Sequence, residues 1–171
     1  VYKRQGYQMG EYDSWGHKHS NFEISTRAPL LISVPEFTTQ AISSKQLVEF
    51  LDVYPTLCDL AELPQPEHLE GVSFASLFSN PEASVKDAAC SEMNRRGRIG
   101  RSLRTQEFRY TEWRDRRGQI VARELYDHRD DEFPGQIETE NIVEEPELAE
   151  TVRLLSQRLD ELVPARKEKT K

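Results

Sequence analysis

The fold is decided by the stretch "RIGRSLRTQEFRYTEWRD", residues 98–115. It contains two short candidate strands, 98–105 and 108–115, with a polar dipeptide at 106–107 between them. Two β-prone segments joined by a short polar link are typical of a hairpin. The stretch therefore predicts two antiparallel neighbours in a small sheet.

The second of these strands has two different faces, because successive residues of a strand point to opposite sides of the sheet. One face carries Phe108, Tyr110 and Glu112. The other face carries Arg109, Thr111 and Trp113. This alternation is typical of a strand in a small antiparallel sheet.

Two further strand candidates, 87–93 and 122–128, flank this hairpin, and polar turns at 95–97 and 116–119 connect them to it. After an acidic, irregular tract, an amphipathic helix is predicted over residues 148–162 and is expected to lie across one face of the sheet. Its apolar stripe is Leu148, Val152, Leu155, Leu159 and Leu162.

The N-terminal half has another pattern. "APLLISVP", residues 28–35, is a continuous apolar run between prolines, which predicts a strand buried on both faces, as in an α/β sheet. A helix is predicted from about residue 50 to 62, with Pro55 in its first turn. Its predicted apolar stripe consists of Leu47, Phe50, Leu51, Tyr54, Leu57, Cys58 and Ala61.

Composition limits the classes of function. The chain has 171 residues and a net charge of −7, which argues against a nucleic-acid binder. No apolar run approaches the ~20 residues that span a bilayer. Cys58 and Cys90 are predicted to be free thiols. The chain starts with "VYKRQ" rather than Met and is polar for a self-contained globule, so we interpret it as part of a larger protein.

The loop "GYQMGEYDSWGHKHSNFE", residues 6–23, is the candidate site, because His17, Lys18 and His19 are adjacent in it. Such groups can converge on a sulfate, phosphate or carboxylate through charge-assisted hydrogen bonds, or stabilise a leaving oxygen. A polar surface loop beside a tryptophan is the alternative interpretation. A zinc site is disfavoured, because the sequence nearby offers too few further His or Cys ligands.

Basic residues also accumulate around the predicted turn at 95–97. We interpret them as solvated strand edges that oppose aggregation. They are Arg95, Arg96, Arg98, Arg101 and Arg104. The sequence contains no nucleophile elbow, phosphate-binding loop or dinucleotide fingerprint.

Several segments, in the same order, resemble motifs of the sulfatase family. Residues 6–35 are similar to Gly-Tyr-x-Leu-Gly-Glu-His-x-x-Trp-x-Lys-x-x-Asn-Phe-Glu followed by Thr-Arg-x-Pro-Leu. "LDVYPTLCDLAELPQPEHLEGVSFASLF" (51–78) resembles the Asp-x-x-Pro-Thr-Leu helix and the Leu-x-Gly-x-Ser segment. "SLRTQEFRYTEW" (102–113) and "ELYDHRDDEFP" (124–134) resemble the family's C-terminal strands. The likeness covers residues 6–163 and looks nearest to the iduronate-2-sulfatase and choline-sulfatase branch.

The resemblance implies hydrolysis of sulfate esters, on a small molecule or a sulfated saccharide, in an α/β fold like that of alkaline phosphatase. It implies a formylglycine nucleophile made from Cys-x-Pro-Ser-Arg, a calcium ion on the sulfate, and a periplasmic or secreted location. Lys18 matches the catalytic lysine of Trp-x-Lys, and Tyr7, His17 and His19 are expected to contact substrate.

The chain departs from the family in four places. Arg4 and Gln5 stand where the family has the Asp-His metal ligands, and a cationic Arg cannot bind a hard cation. Tyr12 replaces the usual His, and the segment between Trp15 and Lys18 is one residue longer than is common. Cys-x-Pro-Ser-Arg is absent from the sequence. We therefore expect metal ligands and nucleophile to be missing from this chain.

Together these observations predict the C-terminal fragment of a sulfatase, inactive by itself. Residues 6–80 are expected to end the catalytic α/β domain, 81–164 to form an antiparallel-sheet subdomain with a closing helix, and 165–171 to be a frayed tail. Two alternatives remain: a non-catalytic scaffold that kept the fold, and a phosphodiesterase or phosphonate hydrolase of the same superfamily.

Overall fold

The computed structural model describes residues 8–13, 15–17, 19–35, 37, 40–130 and 138–164, and only the backbone of His17. The chain forms two compact units. One comprises the residues up to Pro29 together with those from Cys90 onward, and the other is Leu30–Ala89. The predicted boundary between residues 80 and 81 concerns the whole protein and stays a prediction.

The first unit begins with a short antiparallel pair, β1 (Gln8–Met9) and β2 (Trp15–His17), followed by one helical turn, α1 (Glu23–Thr26). Its main element is an antiparallel sheet with the strands in sequence order. These strands are β3 (Ala89–Arg95), β4 (Arg98–Arg104), β5 (Phe108–Arg114) and β6 (Ile120–Asp127). All four strands and the hairpin order predicted from the sequence are confirmed.

One face of the sheet is covered by helix α3 (Ala149–Leu162), which follows a 3₁₀ turn at Pro146–Leu148. The predicted closing helix is therefore confirmed. Tyr110 lies opposite Leu103 in β4 and opposite Leu125 in β6, so the three side chains share this face, and all are fully buried. Leu159 of α3 is also buried, and burial of such a side chain contributes about 1.5–3 kcal/mol.

A polar bridge fixes α3 to the same face. Glu112 is fully buried, and its carboxylate accepts hydrogen bonds from the hydroxyls of Tyr110 at 2.8 Å and Ser156 at 2.6 Å. Arg114 adds an ion pair to Glu112. Burial alone would raise the pKa of the Glu112 carboxyl, but these partners hold the pKa below its ordinary value. Phe108, Tyr110 and Glu112 share one face of the strand, as predicted, and this face places a charged residue in the core together with its partners.

The second unit contains helix α2 (Val53–Leu60), preceded by a 3₁₀ turn at Phe50–Asp52. This confirms the predicted helix, with Pro55 in its first turn. Asp52 is fully buried, and its carboxylate accepts the backbone N–H groups of Glu49 and Val72 at 2.7 and 2.8 Å. Lys86 neutralises the same carboxylate at 2.7 Å.

The buried side of α2 differs from the predicted apolar stripe. Thr56 is buried and bridges the carbonyl of Asp52 and the N–H of Phe74. Cys58 is buried as predicted, and both Cys58 and Cys90 are free thiols. Leu47 is half-buried, and the prediction was wrong for the other five members of the stripe, because polar bonds to residues 72 and 74 decide which side of the helix faces inward. Its exposed members are Phe50, Leu51, Tyr54, Leu57 and Ala61.

Residues 28–35 do not form the predicted strand. Leu31 is 88% exposed, and none of the described strands pairs with this segment. A strand buried on both faces needs sheet neighbours on its two edges and layers above and below. Among the described residues, no strand of a sheet stands beside residues 28–35, so the predicted strand is not formed there.

Candidate functional site

The predicted site loop starts with a sharp chain reversal. β1 and β2 pair antiparallel, and between them Gly10, Tyr12 and Asp13 have φ values of 127°, 56° and 52°. This left-handed backbone is uncommon for residues other than glycine. The reversal brings the two ends of the loop together, and the Gln8 amide donates to the Ser20 hydroxyl at 3.2 Å.

The structure places one of the four predicted site residues in full. His19 is exposed and lines a pocket. The backbone of His17 ends β2, but its side chain lies outside the described part of the chain. Tyr7 and Lys18 also lie outside the described residues. The roles of these residues stay predictions.

The pocket beside this loop has a volume of about 560 Å³ and lies within the first unit. Its walls come from the loop and from the β3–β4 turn. Tyr12 and Phe22 form an aromatic part of the wall, their rings stacked with centroids 4.2 Å apart. The lining residues are Gln8, Tyr12, His19, Ser20, Phe22, Met93, Asn94, Arg95 and Arg96. An aromatic wall with several cationic groups suits a ligand that is both anionic and partly apolar.

Asn21 anchors the loop to the sheet. It is buried, its amide nitrogen donates to the carbonyl of Gly100 at 3.0 Å, and its amide oxygen accepts from Ser91 at 3.3 Å. A side chain at Gly100 would meet the ring of Trp113 at 2.8 Å. Glycine is therefore required here, because the tryptophan lies directly over the backbone that Asn21 binds.

A buried ion cluster joins the loop to the second face of the sheet. Arg109 of β5 donates to Glu138 at 2.7 Å and forms a close ion pair with Glu23 of α1. The same guanidinium donates to Thr26 at 3.2 Å and Ser102 at 3.3 Å. Each of the three guanidinium nitrogens therefore has at least one partner, which a buried guanidinium needs.

Glu138 is the second centre of the cluster. Its carboxylate accepts the backbone N–H of Glu23 at 2.7 Å and contacts the ring nitrogen of His128 at 2.8 Å. Its own N–H donates to the hydroxyl oxygen of Tyr12 at 2.9 Å. Burial raises the pKa of the Tyr12 hydroxyl to about 12, so the group is neutral at physiological pH. Glu138 thus ties α1, the site loop and the sheet together.

The cluster stabilises charge on Glu23. Burial alone would raise the pKa of this carboxyl, but Arg109 and Arg104 outweigh it and hold the pKa below its ordinary value of 4.5. Glu23 is therefore an anion at neutral pH and is neutralised by cations on two neighbouring strands. The segment that carries the predicted site is fixed to the sheet by this charge pairing.

Metal binding is not supported by the residues that the structure describes. They contain no group of three or more His, Cys, Asp or Glu side chains that could hold a metal ion. The donor set needed for a calcium ion, several oxygen ligands around one point, is therefore not supplied by this part of the chain. No helix among the described residues is long and apolar enough to span a membrane.

A family model described as N-sulphoglucosamine sulphohydrolase, C-terminal, matches residues 10–165. The chain belongs to this family. The predicted resemblance to sulfatases is thereby confirmed, as is the predicted class of fold, a C-terminal sulfatase fragment with an antiparallel sheet and a closing helix. The match begins inside the site loop and includes both carboxylates that bind Arg109.

The individual relatives of this chain are distant from it in sequence. The iduronate 2-sulfatase of Mus musculus is 25% identical, over 63% of this chain and 30% of the relative. The extracellular sulfatase SULF-1 homolog of Drosophila melanogaster is 29% identical, over 48% of this chain and 7% of the relative. A solved structure from work on glycosaminoglycan metabolism by Bacteroides thetaiotaomicron aligns with a TM-score of 0.49 and 22% identity, over 65% of this chain and 26% of that one. The chain spans less than a third of the length of these proteins.

The ion cluster is not evident from the amino-acid sequence. The available signal is Arg109, which shares a strand face with Thr111 and Trp113, and an arginine on a covered face requires carboxylate partners. Nothing in the sequence indicates that Glu23 and Glu138, far away along the chain, are those partners.

The arginines near the β3–β4 turn were predicted to be solvated. Arg95, Arg96 and Arg98 are exposed, as predicted. The prediction was wrong for Arg101 and Arg104, which pair with Glu92 at 3.2 Å and Glu23 at 3.3 Å. The two groups of arginines differ because of their positions in the hairpin: the turn is open to solvent, whereas the later part of β4 is covered on both faces.

Proposed function

We propose that the whole protein carrying this chain is a sulfuric-ester hydrolase and that Lys18 binds the sulfate group. The observation that carries the proposal is the family match over residues 10–165, which includes the site loop. Position 18 lies between the end of β2 and His19, a pocket-lining residue. The pocket at the neighbouring residue, His19, supports a ligand-binding role for this part of the loop.

The proposed role of Lys18 is electrostatic. A sulfate ester places negative charge on its leaving oxygen as the sulfur–oxygen bond breaks. An ammonium group at that oxygen stabilises the transition state more than the ground state, which is what accelerates a reaction. His17 and His19, on either side of Lys18, are proposed to contact the substrate.

The nucleophile and the metal ligands are proposed to lie elsewhere in the whole protein. The sequence of this chain has no Cys-x-Pro-Ser-Arg motif, and the described residues do not provide a calcium donor set. A sulfated saccharide is the proposed class of substrate, because the family model is named for a sulphated sugar. A location outside the cytoplasm is proposed from the relative named as extracellular.

The test is turnover of 4-nitrophenyl sulfate by the whole protein and its variants. Lys18→Ala is expected to lower kcat by ~10²–10³-fold, the usual cost of removing one electrostatic donor. Lys18→Arg should rescue little, because a planar guanidinium does not replace a compact ammonium. His17→Ala is expected to cost less, and the 171-residue chain alone should show no turnover.

Folding of each variant is checked by circular dichroism. A whole protein that hydrolyses bis(4-nitrophenyl) phosphate but not the sulfate would contradict the proposal in favour of a phosphodiesterase. Retention of activity in Lys18→Ala together with loss in His17→Ala or His19→Ala would assign the role of Lys18 to a neighbour.

A further inference from the structure

The β3–β4 turn presents two arginines to the pocket. Arg95 ends β3, and Arg96 is the first residue of a two-residue turn with Gly97. Arg96 and Gly97 have φ values of 52° and 78°. Such a turn favours Asn, Asp or Gly at both positions, so an arginine here occupies a backbone conformation unfavourable for its type. The turn itself therefore does not account for the choice of arginine at position 96.

These two arginines differ from the covered arginines of the sheet. Arg101, Arg104 and Arg109 all form ion pairs with glutamates. Among the described residues, no ion pair within 4 Å joins Arg95 or Arg96 to a carboxylate, and the electrostatic interaction of Arg95 with Glu124 acts over a longer distance. Since a guanidinium is always charged near neutral pH, both place a positive charge at the pocket wall. Only Arg95 has a described carboxylate, that of Glu124, close enough to interact with it.

The surrounding wall suits a sugar ring. Tyr12 and Phe22 provide apolar surface, and Gln8 and Asn94 provide amide donors and acceptors. The pocket volume of about 560 Å³ falls within the range of ligand clefts, roughly 300–1,000 Å³. His19 links this wall to the loop of Lys18, since it follows Lys18 directly in sequence and lines the same pocket.

We infer that Arg95 and Arg96 form a subsite for an anionic substituent, a carboxylate or a second sulfate, on the saccharide whose sulfate ester is hydrolysed. This inference rests on the proposed sulfatase function. A guanidinium binds either group through paired N–H donors, and the aromatic wall packs against the sugar ring. The subsite selects substrates that carry an anion besides the scissile sulfate.

The experiment measures binding to the whole protein by isothermal titration calorimetry, which does not depend on turnover. Three probes are used: an unsulfated disaccharide containing one uronate, a disulfated disaccharide without uronate, and cellobiose as the neutral reference. Arg96→Ala is expected to weaken binding of an anionic probe by about 10-fold, and Arg95→Ala combined with Arg96→Ala by about 100-fold, because one charge-assisted bond is lost with each guanidinium.

Arg117→Ala is the matched control, since Arg117 is an exposed arginine at the other hairpin turn, between β5 and β6, and does not line the pocket. It should bind the probes like the unaltered protein. The anionic probe whose affinity falls identifies the group as carboxylate or sulfate.

Equal affinity of the unaltered protein for cellobiose and for both anionic probes would overturn the subsite, as would equal losses in Arg96→Ala and Arg117→Ala. Turnover of 4-nitrophenyl sulfate by the unaltered protein is measured in parallel. Arginine-dependent binding without turnover contradicts the sulfatase function and supports the anion subsite. Turnover with arginine-independent binding supports the function and overturns the subsite.

Discussion

Arg109 shows how one residue can hold a site loop in place. Its guanidinium lies between two buried carboxylates, Glu23 before the sheet and Glu138 after it. A buried charge is tolerated only when its partner is present, because desolvation of an unpaired ion costs several kcal/mol. The pairing therefore makes the position of α1 on the sheet dependent on ionisation.

Ionisation of Glu23 predicts a specific dependence of stability on pH. The folded-state pKa is lower than the ordinary value of 4.5, so the unfolded chain binds more protons between the two values. The stabilisation is fully present above about pH 4.5 and is lost as the pH falls through the folded-state pKa. Glu23→Gln should flatten this part of the pH profile in urea unfolding.

Glu140→Gln is the control for that profile, since Glu140 is exposed. It should leave the slope of the unfolding free energy against pH unchanged below pH 4.5. A Glu23→Gln variant with the same acid slope as the unaltered chain would show that Glu23 is not held as an anion by Arg109.

Helix α3 illustrates the energetics of an element. Leu159 is 1% exposed and Leu154, on the same helix, is 51% exposed. Leu159→Ala is expected to lower the free energy of unfolding by about 2–5 kcal/mol, since it leaves a cavity against the sheet. Leu154→Ala should change it by no more than about 0.5 kcal/mol. Urea unfolding followed by circular dichroism measures both, and similar losses would mean that α3 is not packed through Leu159.

The helices and strands show which parts of the fold can be predicted from the sequence. The four strands and α3 could be predicted, because hairpins and amphipathic helices are specified by residues close together in sequence. The inward side of α2 could not be predicted, because it is set by hydrogen bonds that Asp52 and Thr56 accept from the backbone N–H groups of residues 72 and 74. In the site, His19 lines a pocket, and its contact with substrate stays a prediction. The Arg109 cluster could not be predicted, because it depends on partners far apart in the chain.

The whole first unit is a sheet with two unlike sides. Its α3 side is mainly apolar, around Tyr110 and Leu159, whereas its other side holds the site segment through the charges on Arg109. Damage to either side should lower stability. Only damage to the charged side should also displace the loop that carries the proposed catalytic residue.

This difference gives a test in the whole protein with two variants. Arg109→Met leaves Glu23 and Glu138 without their shared cation, and breaking such a buried pair costs about 3–5 kcal/mol. Leu159→Ala carries a similar cost on the opposite face.

At a temperature where circular dichroism shows both variants folded, kcat on 4-nitrophenyl sulfate should fall at least ~10-fold for Arg109→Met, because a small misplacement of a catalytic group is costly. Leu159→Ala should keep kcat within about 2-fold, because its cavity does not touch the loop. Equal loss of kcat in both variants would show that activity follows stability alone and that the ion cluster does not position the site.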